Sequence, residues 1–239
     1  MARPTATPGP DDAGRTSVWS RPERTGRGPA PSRSRAEIVA AAVALADAQG
    51  LGAVSMRSVA AALGTAAPSL YRYLTSRDDL LDLMSDAVVA ELRPSPTGAA
   101  GDGPVPADRW VEAVLALGRA QLDLHRRHPW LLDLAGRASG VGPESLAFFD
   151  RCLAALSGVG APDRAKFEAV AVMTGLVTLV ARSERAPQVS PFADRDLAAY
   201  PHLAAALAGP PAPAPEEDLF GRALRSLLVG LLEPPGAGD

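Results

Sequence analysis

The chain has 239 residues, 47% of them hydrophobic and only 5% aromatic, so it can bury one large core or two small ones, and its Ala- and Leu-rich composition favours packed helices over a β-sandwich. Its single cysteine, Cys152, excludes a disulfide framework and a thiolate metal cage and fits the cytoplasm, while no apolar run is long enough to span a membrane. The net charge of −3 conceals a gradient: residues 1–32 carry +2, residues 33–77 carry +3 and the remainder −8, so the front of the chain suits phosphates and the back does not.

Residues 1–32 are rich in Pro, Gly, Arg, Ser and Thr without an apolar period, which predicts a disordered arm. A capping box of Ser34 and Glu37 opens a helix bearing Ile38, Ala41, Ala42, Leu45 and Ala46, and Gly50 stops it. Ser55 caps a short second helix, Arg57 to Leu63, which ends at Gly64. Pro68 fits only the first turn of a third helix, which the pattern carries to about Leu74. Ser76 and Asp79 repeat the capping box before a fourth helix with Leu80, Leu81, Met84, Val88 and Leu92. Four prolines and three glycines within residues 93–107 predict a linker. Helices follow at about 108–127, 130–138, 143–157, 163–183 and 217–232, with a shorter one within 195–208. The fold class is all-α: a first domain over residues 33–92 and a second over 108–235.

Residues 55–75 have the layout of a helix-turn-helix. Ala60 is small where the helices would touch, Gly64 accepts the positive φ of the turn, and Val59, Leu63, Leu70 and Leu74 supply buried contacts. The third helix would then expose Ala67, Ser69, Arg72 and Tyr73, with its N-terminus able to enter a major groove.

Residues 34–84 closely resemble the DNA-binding domain of the tetracycline-repressor (TetR) family. The resemblance is carried by Ile38 through Gly50-Leu51, Ser55-x-Arg57-x-Val59-Ala60, Leu63-Gly64, Ser69-Leu70-Tyr71-x-Tyr73-Leu74 and Arg77-Asp78-Asp79-Leu80-Leu81. It implies a homodimeric, all-helical regulator whose C-terminal domain binds a small-molecule effector and thereby lowers operator affinity. Tyr71 and Arg77 are implied phosphate contacts, and Arg57 stands where tetracycline-type repressors read guanine. Ser55, Thr65, Ala67, Pro68, Ser69, Arg72 and Tyr73 complete the expected DNA-facing set. For Arg72 a solvated surface role, and for Tyr73 partial packing against the first helix, stand beside that reading.

Arg109-Trp110 through His128-Pro129-Trp130-Leu131-Leu132, then Gly142-Pro143-Glu144, is loosely similar to the C-terminal domain of the tetracycline-repressor subgroup. The helix at 163–183 is apolar nearly all round and the last helix carries an apolar stripe, so both are expected at a homodimer interface. Trp110, Leu117, His125, Trp130, Phe148, Phe149, Phe167, Met173 and Thr174 are the candidate effector-lining residues, each also a plausible core residue. His125 and His128 lie three apart with no third ligand evident, so no metal and no cofactor is assigned. No catalytic motif supports an enzyme. The expected partners are a double-stranded DNA operator, a small-molecule effector and a second copy of the chain, with no membrane. The expected sign is repression, with activation or a helical protein-binding adaptor as alternatives.

Overall fold

The computed structural model describes residues 18–20, 34–93, 106, 108–137, 140–186, 192, 195–208 and 218–233, and among these every regular element is helical. Helix α1 (Arg35–Gln49) starts on the expected capping box: the Glu37 N–H donates to Ser34 Oγ at 3.1 Å and the Ser34 N–H to the Glu37 carboxylate at 2.7 Å. After a tight turn at Leu51–Ala53, α2 (Met56–Ala62) opens on a second reciprocal cap. Here Ser58 takes the place of the usual Glu: the Ser55 N–H donates to Ser58 Oγ and the Ser58 N–H to Ser55 Oγ, at 2.9 and 3.1 Å. The helix therefore lies one residue earlier than the sequence pattern placed it.

One further boundary and one cap differ from expectation. Helix α3 (Ala67–Leu70) keeps Pro68 in its first turn but stops at Leu70, and 71–73 continue as tight turns through a Tyr73 N–H to Leu70 carbonyl bond of 2.9 Å. Before α4 (Arg77–Val89), only half of the predicted capping box forms. Ser76 Oγ accepts from the Asp79 N–H at 3.0 Å, but the Asp79 carboxylate turns instead to the N–H of Thr75 at 3.0 Å and to its hydroxyl. Thr75 presents two donors to that carboxylate where the cap residue would present one.

The first core gathers Ile38, Ala42, Val59, Leu70, Leu74, Leu80, Leu81 and Met84, each no more than 1% exposed. The second is built from α5 (Trp110–Arg127), α7 (Pro143–Ala155), α8 (Asp163–Arg185) and α10 (Leu219–Leu232), with Val114, Leu156, Met173, Val177 and Leu224 fully enclosed. Helices α5, α8 and α10 contact one another. The short α6 (Leu131–Leu134) touches α8, and α9 (Pro201–Ala208) has no buried residue. The two cores meet: Val89 and Leu92 pack on both, and Leu124 and Trp130, though they follow the predicted linker, belong to the first.

The expectation of a structureless arm is corrected at one place. Val18–Ser20 forms a single 3-10 turn against α4, with Val18 only 4% exposed, because an isolated Val-Trp pair supplies the apolar surface that the arm otherwise lacks. The rest of that arm, and all of the Pro/Gly-rich 93–107 segment except Arg93 and Pro106, lie outside the described residues.

Gly64 adopts φ 65°, and a Cβ built there would meet nothing within 4 Å. Gly64→Ala therefore isolates the backbone cost, and we expect a loss of about 1 kcal/mol in urea unfolding with an unchanged denaturant slope.

Candidate nucleic-acid interface and ligand site

The α2–α3 unit is held from beneath by Ala60 and Val59, each at most 1% exposed, and closed by a Thr65 N–H to Ala60 carbonyl bond of 2.9 Å. At the start of α3 the Ser69 hydroxyl donates to the Ala66 carbonyl at 2.7 Å, so the Thr65 hydroxyl, 2.9 Å away, is the donor between the two. Both predicted polar contacts are thus engaged in stiffening the helix start while their remaining lone pairs can still accept.

On the outer side Arg57, Pro68, Tyr71 and Arg72 are exposed, Tyr71 by 52%. Ala67 and Tyr73 are partly buried against the first core, which is the packing role weighed for Tyr73. Ser55 is spent as the α2 cap. Arg77 is exposed yet fixed: its Nε donates to the Val54 carbonyl at 2.9 Å and Nη2 to that of Leu51 at 3.3 Å, pinning the start of α4 to the α1–α2 turn. Sequence reasoning missed this tether because carbonyl partners leave no residue-type signal.

The nine candidate effector residues do not form one group. Trp110, Phe148 and Met173 share the second core and Leu117 packs against it. The Thr174 hydroxyl and Gln121 Oε1 are enclosed without a hydrogen-bond partner on the adjoining helices α8 and α5. His125 places Nδ1 2.9 Å from the Gln121 carbonyl, and burial holds its pKa below the ordinary imidazole value despite that bond. Phe149 and Phe167 are 37% and 59% exposed, outside the core.

Trp130 lies elsewhere. It is 1% exposed within the first core, and its indole N–H donates to Asp47 Oδ1 of α1 at 2.7 Å. The same oxygen lies 2.7 Å from His128 Nδ1, while His128 Nε2 lies 2.9 Å from Glu91 Oε1, which also belongs to the first half of the chain. Arg127 reaches the other Glu91 oxygen at 2.9 Å. The His-Pro-Trp segment is therefore a polar seam between the two halves, and His125 and His128 serve different partners.

An exposed Arg- and Tyr-bearing helix-turn-helix, carried by a larger helical domain, defines the class of helix-turn-helix regulators. Residues 38–84 match the family model for bacterial regulatory proteins of the tetR family, and residues 103–234 match that for the tetracyclin repressor-like C-terminal domain. The chain belongs to the TetR family, whose members are DNA-binding transcription regulators and not enzymes. It is 40% identical over 183 residues, 75% of its length, to the HTH-type transcriptional repressor DrrR1 of Streptomyces coeruleorubidus. It is 38% identical over 143 residues, 60% of its length, to an HTH-type transcriptional regulator of Saccharopolyspora erythraea. The matches span 65% and 57% of those relatives' own lengths. Among solved structures it is similar to the Streptomyces coelicolor TetR family protein ActR in complex with actinorhodin, with TM-score 0.69 and 27% identity over 87% of this chain and 99% of that one. ActR in complex with (S)-DNPA gives TM-score 0.68 and 28% identity over 84% and 98%. No helix among the described residues is long and apolar enough to cross a membrane.

Two measurements test this geometry. Burial pushes the Cys152 thiol up to about 12, so in the native protein at pH 8 it should not react with Ellman's reagent, while one equivalent should react in denaturant. Trp130→Phe removes a hydrogen bond to a carboxylate and should cost about 1–3 kcal/mol in urea unfolding.

Proposed function

We propose that the chain is a ligand-responsive repressor that binds an inverted-repeat operator as a homodimer and is released by a small-molecule effector in its C-terminal domain. The observation that carries the DNA-binding part is the division of labour in residues 55–77. Val59, Ala60, Leu70 and Leu74 are buried while Arg57, Tyr71 and Arg72 of the same short segment face solvent. Arg57 is the base reader in this proposal and Tyr71 and Arg77 are phosphate contacts, with Ala67, Pro68, Ser69, Arg72 and Tyr73 lining the groove side.

The dimer is supported by two uncovered faces. On α8, Phe167, Ala171, Gly175 and Leu179 recur every four residues and all are exposed, Phe167 and Leu179 by 59% and 64%. On neighbouring α10, Leu219, Leu227 and Val229 are 71%, 43% and 37% exposed. A Cβ built at Gly175 or Gly230 would meet nothing within 4 Å, leaving room for a helix of a second copy to approach closely. Two such pairs form a four-helix bundle with two-fold symmetry, which sets the recognition helices roughly 34–36 Å apart, one duplex turn. Release by an effector is supported by the unpartnered Gln121 and Thr174 atoms in the second domain, which a ligand's polar groups would satisfy, and by the structural likeness to ActR, which was solved with actinorhodin.

Light scattering at micromolar concentration should give a dimer, and Leu179→Glu should give a folded monomer; a monomeric wild type would refute the assembly. Duplexes enriched from a random pool should contain an inverted repeat. Arg57→Ala should weaken binding to them about 5- to 150-fold, the equivalent of roughly 1–3 kcal/mol, and relax preference at one base pair of each half-site. Unchanged affinity and preference would remove Arg57 from the interface.

A further inference from the structure

Helix α7 begins without a cap of its own. Its cap position is Gly142, which has no side chain, and Pro143 follows. The free N–H groups of that first turn are instead satisfied from the other half of the molecule, by Asp86 of α4. The Ser145 N–H and hydroxyl each donate to Asp86 Oδ1 at 2.9 Å, and the Glu144 N–H reaches Oδ2 at 3.3 Å. Asp86 is 5% exposed, so its charge lies against the positive end of α7 with little solvent screening. Gly142 is required for this fit, since a Cβ there would lie 2.1 Å from Asp86 Cγ. Two residues earlier, a Cβ at Gly140 would come within 2.7 Å of the Trp19 ring, and the Val18–Ser20 turn that carries Trp19 also rests on α4. Asp78, one end of the same α4 face, pairs with Arg137 at 2.7 Å.

We propose that Asp86 is a positioning residue for operator recognition: by capping α7 from α4 it fixes the angle between these helices, and so the place of each recognition helix relative to the dimer axis. This rests on the reading of the chain as a dimer on an inverted repeat. The lever is short and stiff. Asp86 sits ten residues from the Ser76 cap that follows the helix-turn-helix, about 15 Å along α4. A tilt of about 5° at the cap therefore shifts the recognition helix by roughly 1 Å. Three hydrogen bonds to one buried carboxylate oppose such a tilt, and all three come from the first turn of α7.

The test uses the full-length chain and a duplex enriched from a random pool by the wild type, together with the same duplex with one half-site scrambled and a set with altered half-site spacing. Wild type should prefer the intact repeat by at least about 100-fold and one spacing over the others. Asp86→Ala should lower the intact-to-scrambled ratio at least about 10-fold and flatten the spacing preference, with affinity for the scrambled duplex within about twofold of wild type. Asp86→Asn keeps an acceptor oxygen for Ser145 and should recover most of the ratio. A ratio and spacing preference that stay at wild-type values, with only the melting temperature lowered, would overturn the proposal. Should Asp86→Ala fail to fold, Asp86→Asn and Ser145→Ala decide: graded loss of spacing preference upholds the proposal and none overturns it. A wild type indifferent to the second half-site would instead refute the dimeric reading itself.

Discussion

The structure depends on α4 being buried on more than one side. Leu80, Leu81, Met84 and Val88 fill the first core, Val89 continues onto the second, and Asp79 and Asp86 are each at most 5% exposed. A carboxylate so placed is tolerated only if hydrogen-bonded or paired. Asp79 finds Thr75, and Asp86 finds the start of α7. The apolar contacts therefore hold α4 in place, while Asp86 fixes its register against α7. A slide by one residue would leave a buried charge without its donors, a penalty well above that of an imperfect apolar contact.

That arrangement ties together what the sequence divides. Residues 93–107 read as a break between independent domains, yet Leu124 and Trp130 complete the core of the first. Trp130 and His128 converge on Asp47, and His128 and Arg127 on Glu91, so three side chains from one stretch address two carboxylates from the other half. Arg93 with Glu144 and Arg137 with Asp78 add further pairs across the same boundary. The exposed pairs contribute little each, but His128 is itself buried, so removing Asp47 would take a hydrogen-bond partner from its enclosed Nδ1. The first half thus owes part of its stability to the second, because a truncation after residue 93 would remove Leu124 and Trp130 from its core.

Signals that act within a few residues are legible in this sequence, and those that act over long separations are not. Ser34 with Glu37, Gly50, Gly64 and Pro68 act within four residues of themselves, and each sits where its chemistry required. Errors arose where two local choices compete, as when Asp79 prefers Thr75 to the cap, or where Ser58 does the work of a Glu. Of the four residues that helical periodicity places outward, Ala67, Ser69, Arg72 and Tyr73, only Arg72 is exposed, because 71–73 leave the helix as tight turns. By contrast, Asp47, Asp86 and Glu91 look like ordinary solvated helix charges, because the partners they bond lie 36 to 83 positions away. Trp130, a candidate for the ligand-lining set, lies in the first core for the same reason: an aromatic residue announces burial without announcing where.

Arg57 and Arg77 show how one residue type can carry two thermodynamic profiles. Arg77 is already locked onto the Val54 and Leu51 carbonyls, so a phosphate meeting it would find most of its side-chain freedom spent during folding. Arg57 is exposed, so ordering it on a base edge would draw on the binding energy itself. In the proposed roles, backbone engagement through Arg77 would be preorganised and sequence-blind, whereas discrimination through Arg57 would follow docking. Such a division would favour rapid capture of any duplex first, and selective retention of the right one afterwards.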